Sequence, residues 1–285
     1  MSDRSFILTI ASAPLPGIIA SVSTTIAQLH GNIFETHQHW DRSNDRFFLR
    51  LAFLGSDKLT SQVIEQALAP AMQHFGLDVQ VTNAGERPRI IAMVSKFDHA
   101  LLHLLYQIRV GWLSAEVVAI VSNHEHARPI AEAAGIRFVH LPVTPDTKQT
   151  QEAALLALIE DTNAEAVILA RYMQVLSADL SRRLSGRAIN IHRSFLLGFK
   201  GAKPYRQAYE RGVKLIGATA HYVTGDLDEG PIIEQDVARV SHADDPDDLM
   251  AIGRDVESRV LARAVKLHLE RRVMLSEGRT VVFVK

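Results

Sequence analysis

A chain of 285 residues, 47% hydrophobic and 22% charged, has the make-up of an ordinary globular protein with one large domain or two smaller ones. Its formal net charge of −1 leaves no basic footprint for nucleic acid, and its lack of cysteine excludes disulfides, thiolate nucleophiles and cysteine-held metal centres. No apolar stretch is long enough to span a bilayer, and Met1-Ser2-Asp3-Arg4-Ser5 does not open a signal peptide, so the cytoplasm is the expected setting.

In chain order, residues 5–11 predict a strand and 16–30 a helix, entered through Pro16-Gly17 and broken at Gly31. Residues 32–40 and 46–54 predict strands around a turn at 41–45, followed by a helix over 59–75 and a strand over 78–82. This β-α-β-β-α-β order is the ferredoxin-like α+β arrangement and defines a first domain over residues 1–84. Residues 85–88, polar with Gly and Pro, predict a linker.

From residue 89 strands and helices alternate. Strands are expected at 90–94, 117–121, 138–141 and 166–169, with helices at 99–109, 125–134 and 149–161. That pattern implies an open, Rossmann-like, mostly parallel α/β sheet with sites at the carboxyl ends of its strands. A strand over 188–192, two hairpin-like strands at 215–223 and 231–240, and a helix over 247–272 complete a second domain spanning 89–285.

Chemistry concentrates in Asn190-Ile191-His192-Arg193-Ser194 and in Leu227-Asp228-Glu229-Gly230-Pro231. Strand alternation puts Asn190 and His192 on one face, and burying both without partners would be costly. An amide, an imidazole and a carboxylate from Asp228 suit the polarisation of a carbonyl and the activation of an attacker on it. Ser194 lacks a Gly-x-Ser-x-Gly elbow, so a turn hydrogen bond suits it better than a nucleophile's role. His37-Gln38-His39 and His124-Glu125-His126 lack the helical i, i+4 spacing or a third ligand, and no metal site is expected.

Several segments together carry a resemblance: Ser95-Lys96-Phe97-Asp98-His99, Ser122-Asn123-His124, residues 171–176, Asn190 through Ser194, Gly201-Ala202-Lys203-Pro204-Tyr205 and His221 through Pro231. In this order they resemble the formyltetrahydrofolate deformylases of the formyltransferase superfamily, and the N-terminal segment resembles their regulatory ACT domain. The resemblance implies hydrolysis of 10-formyltetrahydrofolate to tetrahydrofolate and formate, which feeds purine synthesis, with no metal or redox cofactor. It implies a catalytic trio of Asn190, His192 and Asp228. It also implies a folate pocket lined by Arg171, Tyr172, Met173, Gln174, Val175 and Leu176, with His221, Tyr222 and Val223 near the substrate. Gly17, Asn32 and Ile33 match positions where ACT domains bind small amino acids between subunits, so an amino-acid effector and a homo-oligomer, dimer or tetramer, are expected.

The segment Ser95 to His99 has no glycine to cradle a phosphate, and Asp98 would repel one, which disfavours a phosphorylated acceptor. Departures from the family pattern are Arg193, in place of histidine or proline, and Leu197-Gly198, in place of Pro-Ala. Two alternatives stay open: a formyltransferase to an unphosphorylated amine, and a catalytically weak regulator that binds folate or an amino acid.

Overall fold

The computed structural model describes residues 4–192 and 204–284. The chain forms two compact units, one of residues 1–87 with 270–285, the other of residues 88–269.

The first unit contains β1 (Arg4–Ser12), α1 (Ile18–Gln28), β2 (Asn32–Asp41), β3 (Arg46–Gly55), α2 (Ser61–Phe75) and β4 (Asp78–Asn83). Its antiparallel sheet has the order β2-β3-β1-β4, the ferredoxin-like arrangement. Ile18, Val22 and Ile26 of α1, with Ile64 and Leu68 of α2, pack on Phe6, Leu8, Leu51 and Phe53 of the sheet. Helix α2 starts where the Thr60 side chain accepts from the Val63 amide and stops at Gly76, whose φ of 63° suits a glycine cap.

The second unit opens with β5 (Arg89–Val94), α3 (His99–Arg109) and β6 (Glu116–Ser122). A 3₁₀ turn at Glu125–Ala127 leads into α4 (Arg128–Ala133), followed by β7 (Phe138–His140) and α5 (Lys148–Thr162). Then come β8 (Ala166–Leu169), α6 (Ala178–Arg183), β9 (Ala188–His192), α7 (Pro204–Glu210), β10 (Leu215–Tyr222), β11 (Ile232–Arg239) and α8 (Pro246–Leu269). The sheet order is β11-β10-β9-β8-β5-β6-β7. Strands β9 through β7 run parallel, and β10 and β11 are added antiparallel at one edge. Central β5 is buried from Ile90 onward, as a strand covered on both faces requires. The chain proceeds from β5 to β6 and β7 on one side, then returns to β8 on the other. The carboxyl ends of β5 and β8 therefore flank the crevice where open α/β sheets hold ligands.

Three expectations are corrected. Residues 270–285, assigned from sequence to the second domain, belong to the first unit. They carry the hairpin β12 (Val273–Ser276) and β13 (Arg279–Val282), and the helix expected to reach residue 272 stops before it. Helix α8 ends at Leu269, and Arg271 has a φ of 54°, a left-handed conformation that no helix continues through. Ion pairs from Arg272 to Glu35 (2.6 Å) and from Arg50 to Glu35 (3.1 Å) bind the tail into this unit. The helix expected over 125–134 is divided between the 3₁₀ turn and α4.

Candidate active site

Strand β9 alternates as the sequence predicts: Ile189 and Ile191 are buried, while Asn190 and His192 are partly exposed. Neighbouring β10 pairs His221 with Asn190 and Thr219 with His192, which brings a second imidazole beside the Asn190 amide. Asp228 arrives on the turn between β10 and β11, with a φ of 58°. A non-glycine residue holds this conformation only where its surroundings fix it, and such positions gather at functional sites. Gly230 lets the turn lie against β10, because a Cβ there would collide with the Tyr222 carbonyl oxygen. The turn is closed by the Tyr222 amide donating to the Pro231 carbonyl at 2.9 Å.

These elements bring Asn190, His192, His221 and Asp228 together. His192 Nδ1 lies 3.1 Å from Asp228 Oδ2, and Asn190 Nδ2 donates to Asp228 Oδ1 at 3.3 Å. His221 Nε2 is 3.3 Å from Asn190 Nδ2 and 3.7 Å from Asp228 Oδ1, the latter too long for a hydrogen bond. His221 Nδ1 meets the Tyr222 carbonyl oxygen at 2.9 Å, and because a carbonyl only accepts, Nδ1 carries a proton. The same reasoning at the carboxylate puts a proton on His192 Nδ1 and leaves Nε2 as the ring atom free to serve a substrate. The His192 hydrogen bond, then His221, hold the Asp228 carboxyl well below the usual carboxylate range against the opposing effect of burial. Asp228 is therefore ionised at neutral pH.

The loop after β8 divides by burial. Arg171, Tyr172 and Leu176 turn inward, whereas Met173 and Val175 are exposed and Gln174 is half-buried. The Tyr172 hydroxyl accepts from Gln151 Nε2 at 3.3 Å, and burial, with Glu152 nearby, pushes its pKa up to about 12. Tyr172 and Leu176 thus belong to the core, and only Met173, Gln174 and Val175 offer side chains for contact. Tyr222 is also buried, 2.8 Å from His268 Nδ1, and Val223 packs on the core.

One latch went unassigned in the sequence. The buried Ser95 hydroxyl donates to Asn123 Oδ1 at 2.7 Å and accepts from the Met173 amide at 2.9 Å, while the Ser95 amide donates to the Arg171 carbonyl at 3.2 Å. The end of β5 is thereby committed to holding the β8 loop.

His124 and His126 stack edge to face with ring centres 6.3 Å apart, and His140 Nδ1 pairs with Glu125 at 2.9 Å. Among the described residues no group of three or more His, Cys, Asp or Glu could hold a metal ion. Arg193, Ser194, Leu197, Gly198 and Gly201 to Lys203 lie outside the described residues. In the first unit Gly17 has a φ of 96° at the entry to α1, Asn32 is exposed at the start of β2, and Ile33 packs against the core.

An open, mostly parallel sheet carries an asparagine and a histidine at the end of β9 beside an aspartate from the turn after β10, and residues 88–265 match the formyl transferase family, which makes the chain an enzyme of that class. A formyltetrahydrofolate deformylase of Corynebacterium sp. (strain P-1) is 48% identical over 282 residues, covering 97% of each chain. The crystal structure of a formyltetrahydrofolate deformylase from Pseudomonas putida superposes with a TM-score of 0.94 at 48% identity, covering 98% of this chain and all of that one. A glycinamide ribonucleotide transformylase from Symbiobacterium toebii reaches a TM-score of 0.65 at 29% identity, covering 71% of this chain and 97% of its own. The chain belongs to the formyltetrahydrofolate deformylase family.

Proposed function

We propose that the chain hydrolyses 10-formyltetrahydrofolate to tetrahydrofolate and formate, supplying formate for purine synthesis and balancing the folate-bound one-carbon pool. The observation that carries this reading is the ionised Asp228 carboxylate held between His192 and Asn190 at the open end of β9. In the proposed reaction Asp228 orients a water that attacks the formyl carbon as its proton passes to His192 Nε2. The carbonyl oxygen becomes an oxyanion facing the Asn190 amide and His192 Nε2. The two Asn190 contacts, each 3.3 Å, are long, so its amide can turn to a substrate at little cost.

Each oxyanion donor is worth roughly 10²–10³ in rate. A carboxylate held so acidic is a weak base, which suits Asp228 to orienting water and balancing a positive charge on His192. Collapse of the tetrahedral intermediate breaks the C–N bond. The departing nitrogen takes a proton from His192 or water, and formate leaves as the second product. Water, 10-formyltetrahydrofolate and the chain's own side chains suffice, with no metal or redox cofactor. The Ser95 latch supports water as the acceptor, because the end of β5 offers no glycine loop for a phosphorylated amine.

The first unit fits an ACT regulatory domain, supported by its strand order and by the left-handed Gly17. In this reading Gly17, Asn32 and Ile33 meet a small amino acid between subunits of a cytoplasmic homo-oligomer.

Formate release by the purified protein, given 10-formyltetrahydrofolate and no amine, tests the reaction. Release without an amine is the expected result. Formyl transfer seen only when an amine is added would make the chain a transferase, and tight folate binding without turnover would make it a binding regulator.

A further inference from the structure

The carboxylate of Glu257, on α8, is the most deeply buried acid of the described site region, with 1% of its side chain exposed. Three groups from separate elements converge on it. His99 Nε2, at the start of α3, lies 2.9 Å from Oε2, and Arg171 Nε, after β8, lies 3.2 Å from the same oxygen. The Tyr205 hydroxyl of α7 donates to Oε1 at 3.0 Å. Gly253, one turn earlier on α8, makes room for this, because a Cβ there would collide with the Tyr205 hydroxyl.

A carboxylate only accepts, so His99 presents Nε2–H and the Tyr205 hydroxyl donates, while Arg171 meets the buried charge as an ion pair. Exposed carboxylates on long helices need no such arrangement. A buried one persists only when paired and hydrogen-bonded.

What the pairing fixes is Arg171. Its φ of 68° is left-handed for a residue with a long side chain, and its side chain is 4% exposed. Such a conformation survives where the surroundings over-determine it. Glu257 grips its guanidinium while Ser95 grips its carbonyl and the Met173 amide that follows. In the parallel β8–β9 pair Leu169 stands opposite Asn190, so Arg171 leaves its strand at the level of His192. Beyond Arg171 the loop exposes Met173 and Val175, at 54% and 55%. Tyr205 lies at the start of α7, the first described element after His192. One carboxylate thus ties the loop beside the candidate site to the helix that follows it.

We propose that Glu257 is a positioning residue, which sets the Arg171–Leu176 loop for folate binding through Arg171 and steadies α7 through Tyr205. This rests on the reading that the exposed part of that loop contacts the folate.

The experiment is steady-state hydrolysis of 10-formyltetrahydrofolate by Glu257→Gln, Glu257→Asp and Tyr205→Phe, with a Met173→Ala/Val175→Ala double variant alongside. Loss of hydrogen bonds to a charged group predicts that Glu257→Gln raises KM about 10- to 100-fold while kcat keeps its order of magnitude. Glu257→Asp, which keeps the charge, recovers part of that rise. Tyr205→Phe removes a single hydroxyl and carries the test if Glu257→Gln does not fold; its KM rises about two- to tenfold. A raised KM in the double variant with an unchanged KM in folded Glu257→Gln and Tyr205→Phe overturns the proposal alone. A fall in kcat at unchanged KM in those variants overturns it too, because Glu257 would then act on the chemistry. An unchanged KM in the double variant removes the loop reading and the proposal with it.

Discussion

Two carboxylates, one in each unit, are held well below the usual carboxylate pKa range, and the difference between their partners separates structure from chemistry. Burial would raise the Glu35 carboxyl, but hydrogen bonds from Arg272, His37 and Arg50 outweigh it and bring the group down to about 2. Arg272 and Arg50 are buried, at 2% and 3% exposure, and arginine does not give up its proton in the pH range of a folded protein. Glu35 is locked into a fixed ion-pair network that ties the C-terminal hairpin to its sheet. Asp228 is held by His192 first and His221 second, both able to gain or lose a proton, and by an amide at long range. Its side chain keeps 28% exposure and that of His192 keeps 38%, so water and substrate have access. A depressed carboxylate alone does not mark a catalytic site; exchangeable partners and an open face do.

The sharpest way to break this comparison is Asp228→Asn. The variant should lose about 10²–10⁴ in kcat, the range for a positioned acid–base group, with little change in unfolding midpoint. Asn190→Ala should cost about 10²–10³ in kcat, the effect of one oxyanion donor, as read by formate release.

Glu35→Gln should behave in the opposite way. It removes the carboxylate that buried Arg50 and Arg272 share, leaving Arg272 with Glu270 at 3.0 Å, so denaturant unfolding should show a loss near the lower end of roughly 3–5 kcal/mol, since Glu35 itself is a quarter exposed. Hydrolysis per folded molecule should stay unchanged. The smallest effect concerns pH. The folded Glu35 carboxyl lies below its unfolded value, so its stabilisation is complete above 4.5 and is lost as pH falls toward about 2. Glu35→Gln should flatten the dependence of unfolding free energy on pH in that window.

Much of the fold was legible because the hydrophobic period was clear. The short apolar run Ile90-Ile91-Ala92-Met93-Val94, in a strand–helix alternation, reads as a strand covered on both faces, and alternation over Asn190-Ile191-His192 told which side chains share a face. The C-terminal hairpin was hidden because Glu270-Arg271-Arg272 are good helix formers directly after α8. Its turn signal, Glu277-Gly278 with φ of 42° and 80°, comes from only one strong turn residue.

In the candidate site, Asn190, His192 and Asp228 could be singled out because polar groups at strand ends stand out locally. Tyr172 and Leu176 could not be separated from Met173 and Val175, since a loop's inward and outward residues follow no period. The Glu257 cluster was invisible for another reason. Its members His99 and Glu257 lie 158 residues apart, and one acid on a charged helix looks like a solvated face.

The most direct test measures formate release and unfolding midpoint together for Asp228→Asn and Glu35→Gln. The account predicts a crossed pattern: Asp228→Asn loses turnover and keeps its midpoint, while Glu35→Gln keeps turnover per folded molecule and unfolds earlier. An Asp228→Asn protein that releases formate at close to the unaltered rate would contradict the central claim.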